Sequence, residues 1–241
     1  MIKIIKGTEP EDLKDLRERC AREGLSESDA YKRLKNPLKE RVREQMVVEQ
    51  GQLCAYCMCR IPRTDVEEGI SPIRIEHFDP RNPVDAHSCG QGLAYSNLLA
   101  VCNGNTTRKD SPNAHTKEDL TCDVHRGNTE FRKINPCDES TLETIVYDIQ
   151  GNISATDEDV NYDLVKTLNL NCPASPIRSE REAALAALIG DMGNLGEDDL
   201  LRYCQVRLTA FLGETNPKTP YVGILLWYLK DMVKALSAQE A

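Results

Sequence analysis

Four short runs decide how this chain reads: Cys54-Ala-Tyr-Cys57, Ile73-Arg-Ile-Glu-His77, Asn97-Leu-Leu-Ala-Val-Cys102 and Cys122-Asp-Val-His-Arg-Gly127. Cysteines in Cys-x-x-Cys spacing sit on one turn and can hold one metal ion tetrahedrally, at about 2.3 Å per sulfur. In Pro72-Ile-Arg-Ile-Glu-His-Phe-Asp-Pro80 the isoleucines and His77 alternate as a short strand does, and a proline turn ends it. Asn97 opens a second short apolar run that ends at Cys102. In this order the runs describe a zinc knuckle beside a histidine able to activate water.

That order resembles the HNH nucleases of the ββα-metal class. Zinc-stabilised members carry Cys-x-x-Cys, then acid-His, then Asn-Leu, then Cys-x-x-Cys-Asn-x-x-Lys-Gly. Here Cys102 has no near cysteine after it, while Cys122-Asp-Val-His-Arg-Gly127 matches the last block if Asp replaces Asn and Arg replaces Lys. The polar segment 103–121 then reads as an insertion between the third and fourth ligands. A metal site tolerates it, because loop closure costs only logarithmically more with length. Val-Cys-Asn-Gly-Asn, Ile134-Asn-Pro136 and Leu168-Asn-Leu-Asn171 narrow the resemblance to the HNH component of Septu-type anti-phage systems, also found beside some retrons. In that family the nuclease subunit works with a separate ABC/SMC-like ATPase.

The resemblance implies a set of roles. Cys54, Cys57, Cys102 and Cys122 bind structural zinc, with Cys59, Cys89 and His125 as rivals for the fourth place. His77 is the general base, since a neutral imidazole accepts a proton near pH 7. Asn97 orients the histidine ring and fixes its tautomer. Glu76 and Asp123 hold a single Mg²⁺ or Mn²⁺, an ion that wants hard oxygen ligands; Asn105 competes for the second of these positions. Arg126 contacts the phosphate. His87 and His115 receive no role.

The chain has 241 residues, enough for one large domain or two small ones. With no N-terminal signal and no apolar run of about 18 residues, a soluble cytoplasmic protein is expected, with no membrane. Ten cysteines without a signal read as reduced thiols and metal ligands rather than as a disulfide framework. Cys59, Cys89, Cys137, Cys172 and Cys204 are then ordinary thiols. A net charge of −9 argues against broad duplex binding, which rests on Lys and Arg neutralising phosphates. A metal-dependent nuclease needs only local positive charge, and the basic run from Lys32 to Arg43 is the strongest local candidate.

The fold class expected is α+β and mostly helical. It has an N-terminal helical segment (1–49), a zinc-binding ββα-metal core with a hairpin (50–157) and a C-terminal helical region (158–241). Helices are expected near 9–23, from Ser26 to about Lys35, and near 38–50, 159–169, 176–193, 197–213 and 220–236. The hairpin runs from Ile145 to Ile153. The apolar last helix reads as bundle core or as a partner-docking surface.

The function expected is an HNH endonuclease that hydrolyses phosphodiester bonds of DNA or RNA, as effector of a defence complex with an ATPase. The alternative is a non-catalytic zinc module that docks on a partner. A third reading, in which the knuckle metal is itself catalytic, is opposed by the four thiolates, which leave no open position for water.

Overall fold

A computed structural model describes residues 1–63, 73–83, 90–106, 116–193 and 195–238. His87, Cys89 and His115 lie outside the described residues, as do 107–115 of the proposed insertion. The fold is α+β and mostly helical, with two small antiparallel sheets among the described residues.

Three helices come first: α1 (Glu11–Arg22), α2 (Glu27–Lys32) and α3 (Leu38–Glu49). On α1, Leu13, Leu16 and Cys20 form the buried stripe that their helical spacing predicts. Ser26 caps α2, its hydroxyl accepting from the Asp29 amide at 3.1 Å. At the end of α3, the Gln50 side chain donates to Leu53 O (2.9 Å) and Ala100 O (2.7 Å) and accepts from Ala100 N (2.8 Å). One buried amide therefore ties the helix, the knuckle and the strand that follows.

Strand β1 (Arg74–His77) pairs antiparallel with β2 (Leu98–Val101), with Glu76 opposite Leu99 and His77 opposite Leu98. A short helix, α4 (Cys122–Arg126), closes this unit. Beyond it come α5 (Glu139–Leu142), the hairpin β3 (Ile145–Tyr147) and β4 (Ile153–Ala155), and α6 (Glu158–Tyr162), which runs into a π-turn over Asp163–Thr167. The buried Asp163 carboxylate accepts from the amides of Arg132 (3.0 Å), Lys133 (2.9 Å) and Ile134 (3.0 Å), so the turn clamps the segment after α4.

Helices α7 (Ile177–Met192), α8 (Glu197–Gly213) and α9 (Val222–Ser237) complete the chain. α9 packs on α8 and buries Val222, Ile224, Leu225 and Leu229, which is the bundle-core outcome for the apolar last helix. The buried apolar side chains form one cluster reaching from Met1 through the cysteines to Leu229. Among the described residues no helix is long and apolar enough to cross a membrane.

Candidate metal centre and histidine site

The four cysteines expected from spacing do converge. The sulfurs of Cys54, Cys57, Cys102 and Cys122 lie within 4.8 Å of one another, and all four residues are buried. Cys57 and Cys102 are 3.8 Å apart, Cys102 and Cys122 3.7 Å, and Cys54 and Cys122 4.0 Å. Four sulfurs at about 2.3 Å from a tetrahedral ion stand roughly 3.8 Å from one another, so the donor set fits zinc in type and in size. The Cys102 thiol is pushed down to about 6, chiefly by its hydrogen bond with Cys122, while Cys57 and Cys122 are held well above normal by their hydrogen bonds with Cys102, so these two release their protons only to a metal ion.

Local backbone delivers each sulfur. The knuckle closes with Cys54 N on Cys59 O (3.0 Å) and Met58 N on Cys54 O (3.1 Å), and Ala55 N donates to Ala100 O on β2 (3.1 Å). Asn103-Gly-Asn105 then turns the chain back so that Thr121 N meets Gly104 O at 3.0 Å. Gly104 has φ +61°, and a Cβ there would stand 2.4 Å from Thr121 O, so this turn needs glycine. Cys122 N donates to Leu168 O (2.8 Å), while Asn169 Nδ2 holds Glu118 O and Leu120 O, each at 2.9 Å. Leu168-Asn169 thus sets the approach of the fourth cysteine from the far side of the insertion. His125, a rival for that place, turns away and donates from Nδ1 to Thr167 O at 3.0 Å. Cys59 borders the cluster, and its thiol neighbours, Cys102 first, hold its pKa well above normal.

Glu76 and His77 are consecutive on β1, so their side chains leave opposite faces of the strand. Glu76 is buried; its Oε1 accepts from Tyr56 (3.1 Å) and from Arg126 Nη1, and its Oε2 from His77 N (3.1 Å). Burial first, and the neighbouring Asp123 carboxylate second, push its pKa well above the carboxylate range, outweighing the opposing pull of Arg126. Asp123 occupies the first turn of α4, one residue after Cys122, and its Oδ2 accepts from Arg74 Nε at 3.0 Å. Two acids that crowd each other in this way suit a hard divalent cation, which keeps several waters and takes only one or two carboxylates from protein. Asn105, the competitor, points elsewhere and donates to Asp119 O (2.9 Å) and Ala174 O (3.3 Å).

His77 is the last residue of β1 and only 7% exposed. Its Nε2 lies 3.0 Å from Gly92 O, and a carbonyl only accepts, so Nε2 carries the proton and Nδ1 keeps its lone pair. Burial, the largest cause, lowers its pKa to about 4, which leaves the ring neutral at pH 7. The Tyr31 ring stands edge-on to it, with centroids 4.5 Å apart.

Asn97 is expected to orient this ring; the ring's own hydrogen bond is with Gly92 O, and Asn97 lies next to the loop that carries it. The Asn97 side chain accepts from Asp79 N (2.7 Å) and donates to Asp79 O (3.1 Å) and Gln91 O (3.0 Å), holding both ends of the loop that carries Gly92. Glu27 Oε2 accepts from Gly92 N at 2.6 Å, and a Cβ on Gly92 would stand 2.3 Å from Glu27 O. Neither Glu27 nor Gly92 was singled out from sequence; the only signal was a Gly-x-Gly just before Asn97.

Arg126 is likewise not where a phosphate contact needs it. Its side chain is 0% exposed. The guanidinium donates to Glu76, to His77 O (3.2 Å), to Phe78 O (2.5 Å) and to Thr129 O (2.7 Å), and it lies 3.9 Å above the Phe131 ring. The arginine fastens α4 to the end of β1 instead of facing outward.

No protein-family profile matches the chain. An Escherichia coli protein named as a candidate HNH endonuclease of retron Ec83 is 32% identical over 102 residues, which cover 42% of this chain. That partial match relates the chain to HNH endonucleases. The aligned segment spans 37% of the relative's length.

Proposed function

We propose that the chain is a metal-dependent HNH endonuclease, with residues 50–157 as its nuclease unit between the helical segments 1–49 and 158–241. The observation that carries this reading is the neutral His77, its Nδ1 lone pair left by the Gly92 contact, next in the chain after a buried Glu76 whose carboxyl neighbours that of Asp123. A purely structural zinc module needs neither the histidine nor the acid pair. The overall charge of −9 favours the docking-module alternative, and it is the reason a partner enters the proposal.

In the proposed chemistry, His77 Nδ1 takes a proton from the water that attacks phosphorus, and Gly92 O holds the imidazole in the required tautomer throughout. The attack displaces the 3′ oxygen. Glu76 and Asp123 would hold Mg²⁺ or Mn²⁺, which when bound supplies charge relief to the scissile phosphate and the leaving oxygen. Cys54, Cys57, Cys102 and Cys122 would hold structural zinc. Arg126 and Asn97 act by position: one locks α4 against β1, the other fixes the loop that presents Gly92. The substrate is DNA or RNA. The retron in the relative's name, together with the Septu-like motifs, supports a role in cytoplasmic anti-phage defence beside an ABC/SMC-like ATPase.

The deciding experiment is Mg²⁺- and Mn²⁺-dependent cleavage of plasmid, single-stranded DNA and total RNA by wild type and His77→Ala. Each protein is assayed alone and with a co-expressed ATPase from the same locus. Cleavage is expected to vanish in the variant while zinc content is kept. Absence of cleavage under every condition, with zinc bound, would move the assignment to the docking module.

A further inference from the structure

With Arg126 buried, the proposed nuclease site still needs cations that reach a phosphodiester backbone. The basic run from Lys32 to Arg43 divides into two groups in the fold. Lys32 pairs with Asp29 (2.9 Å), Arg33 with Glu23 (3.8 Å), and Arg41 with Asp12, all within the N-terminal helices. Lys39 lies beside Tyr31, and Arg43, one turn further along the same face of α3, adds its charge near the phenol. Lys39 Nζ stands 5.8 Å from the Tyr31 ring centre, and the Arg81 guanidinium, from the loop after β1, lies 4.4 Å over the same ring. Arg74, half-exposed and bound to Asp123, adds a fourth cation near the phenol.

Tyr31 is therefore a hub, with its edge meeting the His77 ring and cations on its flanks. It is seated firmly, because α2 is clamped to the Gly92 loop through Glu27. In a chain of net charge −9, this concentrates positive charge beside the one histidine read as catalytic.

We infer that the α2–α3 face is the nucleic-acid surface of the protein: Lys39, Arg43 and Arg81 receive the sugar–phosphate backbone on the flank of His77, and Tyr31 aligns them. The inference rests on the nuclease reading and names the part of the substrate that is held. Contacts of this kind are charge-driven and blind to sequence, so they show as salt dependence.

The test uses full-length protein carrying His77→Ala, so that nothing is cut, and labelled duplex DNA, single-stranded DNA and RNA. Binding constants are measured across salt concentrations for this parent and for Lys39→Ala/Arg43→Ala/Arg81→Ala added to it. The slope of log K against log salt is expected to fall by about 1 for each phosphate contact removed, equally on every sequence. Lys39→Arg/Arg81→Lys, which keeps the charge, retains the slope. Zinc per chain and melting temperature, unchanged from the parent, show that the fold is intact. A parent that binds with an unchanged slope in the triple variant overturns this inference alone and assigns the face to an acidic protein surface. A parent that binds none of the three nucleic acids overturns the nuclease reading with it.

Discussion

Arg126→Met separates a structural arginine from a phosphate-binding one. Methionine keeps much of the volume and the contact with Phe131 but removes every donor. The Glu76 carboxylate then loses its ion-pair partner, and the carbonyls of His77, Phe78 and Thr129 lose a hydrogen bond each. The guanidinium is fully buried and Glu76 is 6% exposed at the side chain, so solvent screens little of this. Breaking such a buried pair from one side costs about 3–5 kcal/mol. At this chain length, each kcal/mol moves the melting temperature by about 2–4 °C, so a fall of roughly 6–20 °C is expected. Thermal unfolding followed by circular dichroism on the zinc-loaded protein reads it directly. Adding Glu76→Gln should recover part of the loss, because the buried acid that Arg126 served is gone, with a coupling of about 0.5–3 kcal/mol. A single variant that melts within about 2 °C of wild type would refute the reasoning, and would return Arg126 to the role of a surface ligand for phosphate.

Metal analysis should find one zinc per chain, retained by Cys59→Ser and lost in Cys102→Ser; loss of zinc should also unfold the segment around β1, since structural zinc binding supplies about 10–16 kcal/mol of folding energy in small domains. The His77 ring should titrate near 4 by NMR instead of near 6.5, because burial disfavours its cation. The folded pKa lies below the unfolded one, so the unfolded chain binds the extra proton between these values. His77 therefore destabilises the fold as pH drops from about 6.5 to 4, by roughly 3 kcal/mol in all; a ring titrating above 6 would break this account. Gly92→Ala places a Cβ 2.3 Å from Glu27 O, so cleavage should fall at least tenfold with zinc retained, and activity at wild-type level would show that the Gly92 carbonyl does not position His77.

Much of this site was legible because spacing carries chemistry. Cys-x-x-Cys announced the knuckle, and Cys122-Asp-x-x-Arg-Gly announced the fourth sulfur across a segment of 19 residues, since a metal site constrains its ligands and not the loop between them. Helix limits were legible where caps or apolar stripes mark them, as at Ser26 and along α1. The π-turn over Asp163–Thr167 was not, because the expected helix near 159–169 shows no sign of the buried carboxylate that reshapes it. The contacts of Arg126 and Asn97 were not legible for one reason. A motif names the residue but not the direction of its side chain, and here both point inward to backbone carbonyls that no sequence pattern records. Gly92 and Glu27 were missed because a backbone acceptor and a tight glycine approach leave almost no trace in residue type.

Cys122 and Asp123 are joined by a single peptide bond, one sulfur facing the cluster and the next carboxylate facing Glu76. The two proposed metal sites are thus mechanically one. Anything that pulls a metal from the thiolates would therefore shift the Asp123 carboxylate with the sulfur, so the two sites stand or fall together.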